Sequence, residues 1–290
     1  MPTHVIATHN GRTLEVHDEG AADGLPVIVH HGTPMSGVQY PPHIELAREQ
    51  GIRLLGYDRS GYGGSSRAKG RSVADCAADV HTIADALGLE RFASWGISGG
   101  GPHVLACAAL CDERLTAVAS LAAVAPYDAA GLDWFDGMGE ENHVEFGKAL
   151  EGEEALRPYV EDHAAQHTMT VEALVAGLET LLGDADRAVL SGRFAEYFLE
   201  ADRHAFELGV DGWIDDDLAF AQPWGFDLSA IARPVLLLQG EDDRFVPAAH
   251  GHWLADRIPG VEARITAEDG HLTLVERRMR EVNDWLLAHS

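Results

Sequence analysis

Gly96-Ile97-Ser98-Gly99-Gly100 is the stretch of this sequence best suited to chemistry. It lies between an apolar, strand-like run, Phe92 to Trp95, and a helical pattern that begins near Pro102, so Ser98 falls on the turn between them. A turn that sharp holds its central residue in a strained conformation, and glycine on either side leaves room for strand and helix to pack. Ser98 then stands at a helix N-terminus, whose free amides and dipole favour a developing oxyanion. A serine hydroxyl is a weak nucleophile and needs a base, itself oriented by an acid. Of sixteen histidines, His271 stands apart. It sits in the turn Glu268-Asp269-Gly270-His271, after the last strand-like run and before the last helical one, which returns it to the sheet edge that carries Ser98. For the acid, Gln239 to Pro247 follows the apolar run Val235 to Leu238 and ends in a proline able to start a helix. Asp243 is the choice there, with Asp242 its nearest rival. His103, five residues past Ser98, is offset by more than one helical turn and reads as structural or pocket-lining.

These residues need a scaffold, and the pattern supplies one. Asn10-Gly11 between the β-prone runs His4 to Thr8 and Thr13 to His17 predicts an opening hairpin. Strand-like runs follow at Pro26 to Val29, Ile52 to Tyr57, Phe92 to Trp95, Ala117 to Val124, Val235 to Leu238 and Val261 to Ile265. Between them Ile44 to Glu49, Val73 to Leu87, Pro102 to Cys111, Ala248 to Arg257 and Leu272 to Ala288 show helical periodicity. That alternation predicts an α/β fold, a mostly parallel sheet with helices on both faces. It stops between about Tyr127 and Phe226, where Glu140 to Leu150, Val171 to Leu182 and Arg193 to Leu208 are helix-like and no strand is convincing. The expected division is a core of residues 1–126 and 227–290 with a helical cap, residues 127–226, seated over the strand ends.

With Ser98, Asp243 and His271 in the order nucleophile, acid, base, the chain resembles a serine-dependent member of the α/β-hydrolase superfamily. Its capped kind includes esterases, lactonases, carbon-carbon bond hydrolases and proline iminopeptidases. The resemblance covers nearly the full length and implies an eight-stranded sheet with the cap inserted before the strand that carries the acid. The family's Gly-x-x-Asp-x-x-Val-Pro pattern places the acid at Asp243; members that carry it after the preceding sheet strand make Asp128 the understudy. Val29-His30-His31-Gly32-Thr33-Pro34 resembles the His-Gly-x-Pro oxyanion loop, which implies an oxyanion hole from the amides of Thr33 and Gly99, while the His31 side chain shapes a tight turn. Asp58 to Ser65 resembles the Asp-x-x-Gly-x-Gly-x-Ser loop, with an architectural role. The implied activity is hydrolysis of a small carboxylic ester or lactone. An aspartate at the elbow would have suggested an epoxide hydrolase or a haloalkane dehalogenase, and Ser98 argues against both.

Composition narrows the alternatives. The formal net charge of −26, with Lys69 and Lys148 the two lysines, argues against nucleic-acid binding. Cys76, Cys107 and Cys111 read as buried thiols in a reducing compartment. No signal-peptide pattern opens the sequence and no run is long enough to span a membrane, so a cytoplasmic protein is expected. Neither a metal nor an organic cofactor is implied, and the partner is a small-molecule substrate, with oligomeric state left open. Among the cap aromatics Trp134 and Trp213 are the pocket candidates. The cap acids Glu140, Glu141, Asp211 and Asp215 to Asp217 keep an aminopeptidase reading open, because a free α-ammonium group needs carboxylates around it. Against it, the iminopeptidase elbow carries tryptophan directly after the serine, where this chain has Gly99. A ligand receptor on the same scaffold is the non-enzymatic alternative.

Overall fold

In the computed structural model, which describes residues 2–290 apart from the side chain of His167, the chain opens with the hairpin of β1 (Thr3–Ala7) and β2 (Thr13–Gly20). Gly11 takes φ 81° at its tip, a conformation open to glycine at little cost. There follow β3 (Leu25–His30), α1 (Pro41–Gln50), β4 (Ile52–Tyr57), α2 (Cys76–Ala86), β5 (Phe92–Ile97), α3 (Gly100–Leu110) and β6 (Leu115–Leu121). Next come α4 (Glu140–Glu151), α5 (Glu153–His167), α6 (Val171–Gly177), α7 (Asp184–Val189), α8 (Gly192–Ala205) and α9 (Asp211–Phe220). The chain closes through β7 (Val235–Gly240), α10 (Ala248–Ala255), β8 (Glu262–Thr266), α11 (His271–Arg277) and α12 (Met279–Ala288).

The eight strands lie in the order β1-β2-β4-β3-β5-β6-β7-β8, antiparallel at β1, β2 and β4 and parallel from β4 onward. Successive strand residues point to opposite faces, and the core divides accordingly. Ile28, Phe92, Val118, Val235 and Leu237 pack into one cluster with α2 and α3. Val27, Val29, Trp95, Ala119, Leu236 and Leu238 pack into another with α1 and α12, through Ala47, Val282 and Leu286. Burial on both faces is why these strands read as continuous apolar runs.

The boundaries differ from expectation in several places. The run expected as strand to Val124 ends at Leu121, because Ala122 turns to φ 46°. The single final helix is two, α11 and α12, broken at Arg278. Between β6 and β7 the helical stretch Val171 to Leu182 ends as α6 at Gly177, and three further helices fill the segment: α5 contains Pro158, α7 is short, and α9 carries Asp215, Asp216 and Asp217, all buried. Cys76, Cys107 and Cys111 are buried free thiols. Among the described residues no helix is long and apolar enough to cross a membrane.

Candidate active site

Ser98 sits at the turn from β5 into α3 with φ 55°, left-handed backbone that a residue with a side chain rarely adopts. Two hydrogen bonds fix it: its amide donates to Leu121 O (2.9 Å), and Gly101 N donates to its carbonyl (2.8 Å). The flanking glycines are steric requirements. A Cβ on Gly96 would lie 2.2 Å from Gly100 O, and one on Gly100 2.1 Å from His30 O, so any larger residue forces strand and helix apart.

The loop after β7 brings Asp243 to the N-terminal residue of α11, His271. His271 Nδ1–H donates to Asp243 Oδ2 at 2.8 Å, which leaves Nε2 as the free ring nitrogen. Asp243 is oriented on its other side: Oδ1 accepts the amides of Phe245 (2.9 Å) and Val246 (2.8 Å), and Oδ2 also accepts Gln239 Nε2 (3.1 Å). Burial would depress the imidazole pKa, but the carboxylates of Asp243 and, to a lesser degree, Asp186 together offset it and the net shift is upward. The ring stacks on Phe245, with centroids 4.5 Å apart. Ser98 and His271 line one cavity. The rival acids lie elsewhere: Asp242 accepts the amide of Ala185 (3.1 Å), and Asp128 is exposed.

A residue with no local signal in the sequence completes this side. Asp186 of α7, fully buried, accepts the amides of His271 (2.8 Å), Leu272 (2.8 Å) and Thr273 (3.1 Å). It caps the first turn of α11, satisfying amides that have no intrahelical partner, and so holds the backbone of the histidine.

Across the cavity the loop after β3 brings Thr33 against the elbow, where a Cβ on Gly99 would lie 2.2 Å from Thr33 Oγ1. Neither the Thr33 nor the Gly99 amide donates a hydrogen bond among the described residues. The loop is braced by a buried charge network. Asp216 of α9 accepts Thr33 Oγ1–H (2.6 Å), Tyr62 OH (2.9 Å) and Arg59 Nη2 (2.6 Å), and pairs with Arg71 (2.7 Å). Arg59 in turn donates to the carbonyls of His31 and Gly32. Burial would raise the Asp216 pKa, yet the guanidinium groups of Arg59 and Arg71 hold it well below the usual carboxylate range. His31 donates from Nδ1 to Gly32 O (2.7 Å) and accepts Arg59 N–H at Nε2 (3.0 Å), so its ring shapes the loop. His103 is structural too: Nδ1 bonds Gly99 O (2.6 Å), and burial pushes its pKa down to about 3.

The family profile for the alpha/beta hydrolase fold matches residues 26–277. The chain belongs to the α/β-hydrolase fold family. A non-heme chloroperoxidase of Streptomyces lividans is 28% identical over 247 residues, 84% of this chain and 83% of that protein. A 2-hydroxymuconate semialdehyde hydrolase of Pseudomonas putida is 26% identical over 276 residues, 93% of this chain and 88% of that one. Among solved structures, an esterase from Exiguobacterium antarcticum superposes with TM-score 0.74 at 18% identity, covering 99% of this chain and 98% of that one, a likeness of fold.

In this α/β-hydrolase two cavity lobes meet at Thr33, Pro34, Ser98, Leu178 and Phe245. One is walled by Leu174, Tyr197, Phe198, Leu272 and Val275, the other by Glu145, Tyr159, His163, Trp213 and Asp217. Trp213 thus borders the second lobe, its indole N–H donating to Glu145 Oε1 (2.7 Å). Trp134 lines neither: its N–H donates to Ala125 O (2.8 Å), and its ring is packed between Phe146 and His250. Three of the six acids singled out in the sequence are held in ion pairs. Asp215 pairs with Arg67 (2.9 Å), Asp216 with Arg59 and Arg71, and Asp211 with Arg157 (2.7 Å). Asp217 faces the second lobe beside Glu145, and burial pushes both carboxyl groups above the usual range, Asp217 the more strongly for the neighbouring Glu145.

Proposed function

We propose that this protein is a serine hydrolase that cleaves a small carboxylic ester or lactone by two-step acyl transfer. The observation that carries the reading is a serine at φ 55° on a strand-helix turn, lining one cavity with a histidine held by an aspartate at 2.8 Å. Ser98 Oγ attacks the substrate carbonyl and gives its proton to His271 Nε2, while the amides of Thr33 and Gly99 stabilise the oxyanion. Collapse of the tetrahedral intermediate breaks the C–O bond, and the alcohol leaves with the proton from His271. Water then attacks the acyl-enzyme with His271 as base, and the acid departs as Ser98 recovers its proton. Asp243 holds the imidazole tautomer and stabilises its charged form. The helical insertion, residues 127–226, serves as the cap that closes the cavity.

Turnover of a graded panel of p-nitrophenyl esters and small lactones by wild type and Ser98→Ala tests this. The reading requires ester hydrolysis that disappears with the hydroxyl; hydrolysis unchanged in Ser98→Ala contradicts it. Relatives named chloroperoxidase and esterase/perhydrolase make hydrogen peroxide a useful second acceptor in the same assay.

The Glu145–Asp217 pair supports a second reading, an aminopeptidase whose substrate carries a free ammonium group into the second lobe. Prolyl arylamides would then be turned over, and Glu145→Gln would abolish that turnover while sparing simple esters. A protein inert to both panels but tight for a ligand would be a receptor.

A further inference from the structure

Outside the cavity, four side chains from separate stretches converge where α8 meets the sheet: Glu15 and His17 of β2, Asp58 just past β4, and His204 of α8. Glu15 and His17 are two residues apart on a strand and so share a face. Asp58 is fully buried, and the other three are partly so.

We propose that this cluster binds a divalent transition ion of the Zn²⁺ class, fastening α8 to the sheet. One donor atom from each residue lies within 4.8 Å of all the others. His204 Nε2 is hydrogen-bonded to Asp58 Oδ2 at 3.0 Å, a contact that a bound ion would replace, and lies 3.5 Å from Glu15 Oε1; His17 Nε2 is 3.6 Å and 3.8 Å from the same two oxygens. A tetrahedral ion with bonds of about 2.0–2.2 Å has donor-donor edges of about 3.3–3.6 Å, so these distances bracket that figure. His17 Nε2 is the telling atom. Among the described residues it is buried with no hydrogen bond, and its separations from the two carboxylates are too long for one yet match the edges of a coordination sphere.

The surroundings suit an ion. His204 Nδ1 lies 3.3 Å from Glu207 Oε1, the carboxylate contact that fixes a ligating imidazole and turns its other nitrogen toward a metal. Asp58 is aimed by the amides of Gly37 on Oδ1 (2.6 Å) and Gly64 on Oδ2 (3.2 Å). Two imidazoles and two carboxylates form a charge-balanced set for a divalent ion, and nitrogen donors favour zinc over magnesium or calcium. The ligands come from positions 15, 17, 58 and 204, so no short motif announces them. The site also bears on the cavity. Its helix supplies Tyr197 and Phe198 to the apolar lobe, and Tyr197 OH donates to Val38 O (3.1 Å).

Equilibrium dialysis of chelator-stripped full-length protein against Zn²⁺, with metal analysis, and a visible spectrum of the Co²⁺-loaded protein test the proposal. One bound equivalent, an intense four-coordinate cobalt spectrum and a zinc-dependent rise in thermal midpoint are expected. All three should be lost in His17→Ala and in His204→Ala and kept in His252→Ala, a change at an exposed histidine of α10. Folded wild type that binds no stoichiometric zinc, a weak six-coordinate cobalt spectrum, or an equivalent that survives both substitutions would overturn it. Should the variants fail to fold, the wild-type stoichiometry and spectrum decide alone.

Discussion

The two cavity lobes that meet at Ser98 are built from different chemistry. One is mostly apolar, walled by Leu174, Phe198 and Val275 with Gln39, His43 and the buried Asp202 among its polar lining; the other presents Glu145, Asp217, Tyr159 and His163. An acyl carbon bound at Ser98 would have one substituent in each lobe, so the reacting centre and the selectivity are separable. Residues on strand ends and their turns supply the proposed chemistry, while helices of the insertion supply much of the walls. Substitutions in the two groups should therefore fail in different ways, and that difference can be measured.

The largest effect belongs to Ser98→Ala, expected to lower kcat by a factor on the order of 10⁵ to 10⁶ with little change in KM for esters of either lobe preference. Asp243→Asn comes next, with a loss on the order of 10⁴, because the imidazole loses both its orientation and the stabilisation of its charged form. This variant also sharpens the pH dependence. In the proposed mechanism His271 acts as the neutral base, and the neighbouring carboxylates raise its pKa from the ordinary imidazole value. Activity of wild type is thus low in acid and rises through that raised pKa to a plateau, and in Asp243→Asn the acid limb should move to lower pH. Steady-state rates across the pH range check both statements.

Asp186→Ala tests the link between insertion and chemistry. Losing the acceptor of three buried amides should cost about 1–3 kcal/mol of stability. By loosening the His271 backbone it should also lower kcat roughly tenfold to a hundredfold, with KM little changed. Thermal melts and kinetics together separate these effects, and Asp186→Asn should recover part of the rate. An unchanged kcat would show that the insertion only roofs the site.

The smallest effects are the ones that resolve the lobes. Phe198→Ala should raise KM for long-chain acyl esters roughly five- to tenfold, as partial loss of a buried aromatic surface predicts, and leave compact polar esters unaffected. Glu145→Gln should act on polar or amine-bearing substrates alone. Equal effects on both substrate classes would mean that the lobes form one undivided pocket.

What could be read in advance follows from where each feature's information lies. Ser98, Asp243 and His271 each stand just past an apolar run, so strand periodicity and turn residues locate them locally; the parallel pairing of β5, β6, β7 and β8 then brings them to one edge. Asp186 and Asp216 carry no such local sign. Asp186 reaches His271 across 85 positions and Asp216 reaches Thr33 across 183, and an acid-rich helix such as α9 looks solvent-facing until its arginine partners are seen. Trp134 shows the converse. An aromatic beside glycine and acids suggested a pocket, but a buried carbonyl, Ala125 O, claims its N–H. Partners distant in sequence, rather than residue type, decided these cases.

The central claim is that Ser98 is a nucleophile activated by His271. Its most direct test is the intact mass of the protein after incubation with a fluorophosphonate, wild type beside Ser98→Ala and His271→Ala. A single adduct that maps to Ser98, absent from Ser98→Ala and strongly slowed in His271→Ala, is the predicted result. A folded wild-type protein that forms no adduct, or forms one that persists in Ser98→Ala, would contradict it.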